Sequence, residues 1–186
     1  MVELVTWVFN RKGIPLYKRC GFRAVPGTSL LMENYLPMII RHPVLRRYFR
    51  LHDYVKTLVS QRSYGYDQLR YHDLIVFQYR WQAGSEMWEV LIDFQHQQIA
   101  SIACTEWSIG AWFVQDQKLR VRLENRDQDQ IVCNLSNRSD VRLAAIRGET
   151  KQVEWDAGDD GCVELSVRVG RLRFPFKVRG RQCRRN

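Results

Sequence analysis

A chain of 186 residues and 22.2 kDa, 45% hydrophobic and 26% charged, can bury a sizeable core and is too apolar to be a disordered segment. Its uncharged apolar runs, such as Ser29 to Met32 and Leu36 to Ile40, fall far short of the roughly 20 residues that cross a bilayer as a helix, so no membrane partner is expected. The net charge of +9 is unevenly spread. Residues 1 to 70 hold 12 Lys and Arg against 4 Asp and Glu, residues 71 to 170 hold 10 against 16, and residues 171 to 186 hold 7 against none. A basic start and a basic tail around an acidic middle are compatible with a nucleic-acid or other anionic partner, but a solvated basic surface is the default reading. No nucleic-acid module accompanies the charge, so nucleic acid is not the expected partner.

The apolar start carries Glu3 and meets Arg11 and Lys12 without a small-residue cleavage site, which argues against a secretory signal. Cys20, Cys104, Cys133, Cys162 and Cys183 are odd in number and scattered, with no C-x-x-C pair. They read as reduced thiols of a cytoplasmic protein.

In chain order, Val2 to Val8 has the composition of a strand, and Asn10 caps a short helix from Gly13 to Cys20 that Gly21 stops. Phe22 opens a further extended piece. The spacing Asn10, Gly13, Tyr17, Gly21-Phe22 resembles the N-x-x-A-x-x-x-Y-x-x-x-G-F segment of the GNAT family of acetyl-CoA-dependent N-acetyltransferases. Gly27 to Glu33 resembles the final strands of that fold. The resemblance covers residues 1 to about 40.

It implies that Tyr17 is catalytic, protonating the leaving thiolate of coenzyme A, a general-acid role open to a phenol. It implies that Asn10 contacts acetyl-CoA, and that Gly21-Phe22 turns the chain and packs. Members of the family bind the cofactor pyrophosphate on a glycine-rich loop at a helix N-terminus, where backbone N–H groups and the helix dipole favour anions. No such loop precedes Asn10 in these residues. The chain therefore reads as the C-terminal part of a GNAT-like enzyme, inactive alone. Its first strand is expected to pair with another copy or a partner chain.

A single helix is expected from Pro43 to Tyr64, with Val44, Leu45, Tyr48, Phe49, His52, Val55, Leu58 and Val59 on one apolar face and Gly65 as the stop. From Asp73 onward the period changes to two. Nine or ten strands are expected, with candidates at 73–82, 87–95, 98–105, 109–115, 118–124, 130–135, 140–147, 151–155, 162–169 and 171–178, separated by Gly, Asn, Asp and Ser turns.

The fold class that follows is α+β. It comprises a strand-helix-strand piece over 1–40, a linking helix over 41–66, and an antiparallel β-sandwich, or alternatively a barrel, over 67–186 with a basic tail. The competing function is a non-enzymatic β-module that binds carbohydrate, peptide or protein. Trp81, Trp88, Trp107, Trp112 and Trp155 are candidates for a sugar-stacking platform, and Glu89, Glu106 and Glu154 for glycosidase carboxylates. His42, His52, His72 and His96 lack metal-ligand spacing, so no metal is expected.

Overall fold

The computed structural model describes residues 1–6, 12–25, 28, 31–60, 68–114, 118–157 and 161–180. The alternating segments do form antiparallel strands, in two large sheets. One has seven strands: β4 (Gln68–Tyr71), β5 (Leu74–Ala83), β6 (Glu86–Asp93), β7 (Gln98–Ala103), β8 (Trp107–Val114) and β9 (Lys118–Asn125) as a meander, with β12 (Thr150–Asp156) added beyond β9. The other has four strands in the order β11 (Arg138–Ile146), β10 (Gln130–Leu135), β13 (Cys162–Val169) and β14 (Leu172–Arg179). The chain changes sheet after β9, returns for β12, and leaves again for the β13–β14 hairpin. The two sheets therefore close on one another.

Register follows burial. In β9 and β13 every second residue is buried, so Leu119, Val121 and Leu123 face Val163, Leu165 and Val167 across one core, while Lys118, Glu164 and Arg168 stay outside. Glycines take positive φ at the tight turns, as at Gly84 and Gly170.

The N-terminal residues add a three-stranded sheet in the order β1 (Val2–Val5), β3 (Leu31–Asn34), β2 (Phe22–Ala24), with α1 (Gly13–Arg19) between the first and second strands in sequence. Both outer strands run antiparallel to β3.

Two expectations are corrected. The class is mainly β, not α+β with a separate strand-helix-strand start: 59% of the described residues are strand and 17% helix. The expected single helix from Pro43 to Tyr64 is instead two, α3 (Leu45–Tyr48) and α4 (Leu51–Ser60), with residues 61–64 outside the described residues, and a separate helix, α2 (Leu36–Arg41), precedes them. Pro43 disfavours a helical residue before it, and His42 is accordingly extended, at φ −66°, ψ 132°. A second break comes at Phe49, at φ −83°, ψ 126°, whose ring packs edge-on against Trp81 with centroids 5.1 Å apart. The break frees the Tyr48 carbonyl, which accepts the indole N–H of Trp81 at 3.2 Å. Because the helix restarts at Leu51, the buried face of α4 is Tyr54 and Thr57, and His52 is exposed, not buried.

These helices share the β core. Tyr35, Leu36, Ile39, Val44, Leu45, Phe49 and Tyr54 are each at most 6% exposed and belong to the same apolar cluster as Phe77, Tyr79, Trp81 and Trp88. No helix among the described residues is long and apolar enough to cross a membrane.

Candidate functional site

Three places could carry chemistry. The first is the N-terminal unit. Its α1 starts at Gly13 with Lys12 as a cap residue that makes no side-chain hydrogen bond, and presents Tyr17 half-exposed. The Tyr17 ring meets Phe22 edge-on, with centroids 6.3 Å apart. Asn10 lies outside the described residues. Gly21 has φ +92°, and a Cβ there would collide with Leu36, so the turn requires glycine. The Gly21 carbonyl accepts the Tyr79 hydroxyl at 2.9 Å, which fixes this turn to β5. Among the described residues α1 offers one glycine in its first turn and no loop of clustered amides, so they do not by themselves fit a pyrophosphate.

The second place is a polar pocket of about 170 Å³ lined by Glu86, Cys104, Glu106, Gln128, Arg171 and the edges of Tyr48, Trp88 and Trp107. Tyr48 stacks on Trp88 at 4.4 Å, and Trp107 stands perpendicular to Trp88 at 5.9 Å. Both carboxylates are engaged: Glu86 accepts the Trp88 indole N–H at 2.9 Å, and Glu106 accepts the Gln128 amide. Burial pushes the Cys104 thiol up to about 11, so it is no thiolate nucleophile at neutral pH.

The sequence-derived carboxylates do not converge. Glu106 is here, whereas Glu89 binds Gln78 and Arg80, and Glu154 binds Arg120. Nor do the tryptophans make a platform. Trp81, Trp88, Trp107 and Trp112 are at most 2% exposed and Trp155 is half-buried, because their rings fill the sheets instead of facing water.

The third place is a groove of about 460 Å³ where the N-terminal Met1 and three distant segments meet. The end of α2 and its exit supply Met38, Arg41, His42 and Pro43; the β6–β7 turn and the start of β7 supply Gln97, Gln98 and Ile99; β14 supplies Pro175, Phe176, Lys177 and Arg179. Its wall is fastened by Gln98, whose side-chain amide donates to the Arg179 carbonyl at 3.0 Å and whose carbonyl accepts the Arg179 N–H at 2.5 Å. His42 accepts the Val44 and Leu45 N–H groups at Nδ1, at 3.4 Å each, and turns its ring edge toward Phe174. Burial holds its pKa down at about 4, so it is neutral at pH 7. No residue of this groove was singled out from sequence as a site. The signal that could have found it was the separation of basic ends from an acidic middle.

Among the described residues no group of three or more His, Cys, Asp or Glu could hold a metal ion. His72 instead stacks on Trp112 at 4.5 Å, and His96 pairs with Asp93 at 2.5 Å. Comparison with known proteins finds no matching family, no matching curated protein and no matching solved structure.

Proposed function

We propose that residues 1–40 are the C-terminal part of a GNAT-like N-acetyltransferase and that the β body is its accessory domain, the whole working in the cytoplasm on acetyl-CoA. The observation that carries this reading is the outer edge of β1. Among the described residues no strand pairs with it, and it leaves Val2 49% and Val5 70% exposed, with Leu16 of α1 49% exposed nearby in sequence. An open edge with apolar residues is a template for another strand. The remainder of such an enzyme, bearing the pyrophosphate loop, would pair there. Tyr17 is then the residue that protonates the departing thiolate, and Asn10 the contact to the cofactor arm. Cys20, Cys104 and Cys133 are free thiols, which supports a reducing compartment.

The test begins with the DNA upstream of Met1. The product of the complete reading frame, alone or co-expressed with its neighbours, is titrated with acetyl-CoA and assayed for thiol release with a panel of amines. Micromolar binding and release that falls at least tenfold in Tyr17→Phe, with binding unchanged, supports the reading. A product that neither binds acetyl-CoA nor releases thiol overturns it.

A further inference from the structure

The charge asymmetry of the sequence resolves in space at the groove between α2, the β6–β7 turn and β14. Arg41 comes from the basic first 70 residues, and Lys177 and Arg179 from the basic tail. The acidic middle contributes only Gln97, Gln98 and Ile99, so no carboxylate lines the groove. The nearest acidic residue in that turn, Asp93, is 1% exposed and spent on the N–H groups of Gln95 and His96 and on the His96 ring. Lys177 has a partner in Glu164 at 3.2 Å. Arg41 and Arg179 have no acidic partner among the described residues, and both are exposed.

Between these cations the surface is aliphatic. Met38, Pro43, Ile99 and Pro175 line the groove, and Phe176, only 2% exposed, forms part of its floor. An unpaired guanidinium attracts carboxylate and phosphate oxygens, and two of them beside an apolar trough define a ligand with one charged end. A volume of about 460 Å³ lies within the range of small-molecule sites. Single-stranded nucleic acid would need exposed aromatic faces on which bases stack. Here Phe174 and Phe176 are buried, at 3% and 2% exposure.

We propose that this groove binds an amphipathic anion of the acyl type, its carboxylate or phosphate head held by Arg41 and Arg179 and its hydrocarbon chain laid along Met38, Ile99 and Phe176. This site is independent of the acetyltransferase reading of residues 1–40.

The experiment is calorimetric titration of the full chain with decanoate and decyl phosphate below their micellar concentrations. Decyl maltoside serves as a tail without charge, and acetate and inorganic phosphate as heads without a tail. Saturable one-to-one binding of at least one decyl anion, at least tenfold tighter than any of the three controls, is expected; comparison of the two anions identifies the preferred head. The double variant Arg41→Gln, Arg179→Gln should weaken that binding at least tenfold. Arg46→Gln with Arg47→Gln removes the same charge from exposed sites on α3 and should leave it within twofold. Unchanged thermal midpoints establish that both variants are folded. Equal weakening by the two pairs, absence of anion binding, or tight binding of an oligonucleotide that alone depends on Arg41 and Arg179 would each overturn the proposal.

Discussion

The guanidinium of Arg23 lies over the ring of Tyr79, 4.7 Å from its centroid, and donates to the hydroxyl of Tyr54. A buried cation from β2 is thus seated on aromatic rings from β5 and α4, where a π face offsets part of its lost hydration. The Tyr79 hydroxyl completes the joint by accepting the Tyr35 N–H at 3.1 Å and donating to the Gly21 carbonyl at 2.9 Å. Tyr79→Phe keeps the ring and strands both backbone groups. The expected loss is about 1–3 kcal/mol, read as a lower urea midpoint. An unchanged midpoint would show that water replaces the hydroxyl.

Removing residues 1–67 should abolish cooperative unfolding of the rest. Seven side chains between Tyr35 and Tyr54 cover the β core, and burying a large apolar side chain contributes about 1.5–3 kcal/mol against a net domain stability of about 5–15 kcal/mol. Circular dichroism and amide dispersion of residues 68–186 provide the check. A sharp transition near that of the intact chain would mean that the β body closes without its helices.

Gly110 on β8 lies under Tyr71, and a Cβ there would collide with the Tyr71 hydroxyl. Gly110→Ala is expected to cost about 1–3 kcal/mol through overpacking. Tyr71→Phe removes the colliding oxygen, so the double variant should be less damaged than the sum of the two single losses, a coupling of about 0.5–3 kcal/mol. Additive losses would place the strain elsewhere.

His42 gives stability a pH dependence of known sign. Its folded pKa, held down at about 4 by burial, lies below the ordinary value of 6.5, so the unfolded chain binds the extra proton between those values. Its contribution is complete above pH 6.5, is lost as pH falls toward 4, and levels off below that. Protonation would also place a fourth cation beside Arg41, Lys177 and Arg179. His42→Asn, which keeps an acceptor for the Val44 and Leu45 N–H groups, should flatten the urea midpoint between pH 6.5 and 4 relative to the native chain.

Thiol labelling should sort the cysteines by burial. Cys20 and Cys162 are exposed, whereas burial pushes Cys104 up to about 11 and Cys133 up to about 12. In native buffer a disulfide reagent should modify Cys20 within minutes and spare Cys104 and Cys133 until denaturant is added, as mass mapping will show. Rapid native labelling of Cys133 would indicate that the sheet pair opens locally.

Strand positions were legible wherever one face is wet. Leu119, Val121 and Leu123 alternate with charged residues, and their strand runs from Lys118 to Asn125 as the period implies. The short β4 escaped notice because four residues, Gln68 to Tyr71, are too few to show a period. Helical periodicity misled at Phe49. Its spacing from Leu45 fits one face of a continuous helix, yet packing against Trp81 outweighs the backbone bonds given up at that point. The sequence implies α+β because helix-like residues before Ser60 read as a separate layer, whereas in the structure Tyr35 through Tyr54 complete a β core. The groove was invisible for a simpler reason. Arg41 and Arg179 stand 138 positions apart, and only the return of β14 to the β6–β7 turn brings them to one rim.

That return also sets the timetable of synthesis. Phe174, Phe176 and Val178 fill the space between the sheets, and the Gln98 clasp closes on Arg179. A chain emerging from the ribosome therefore carries its long meander, complete at Asn125, for the time needed to translate about 54 further residues before its closing strand is complete at Arg179. At about 5–20 residues per second this is several seconds of exposed, half-paired sheet. The nascent chain should depend on a ribosome-associated chaperone until residue 180 has cleared the exit tunnel.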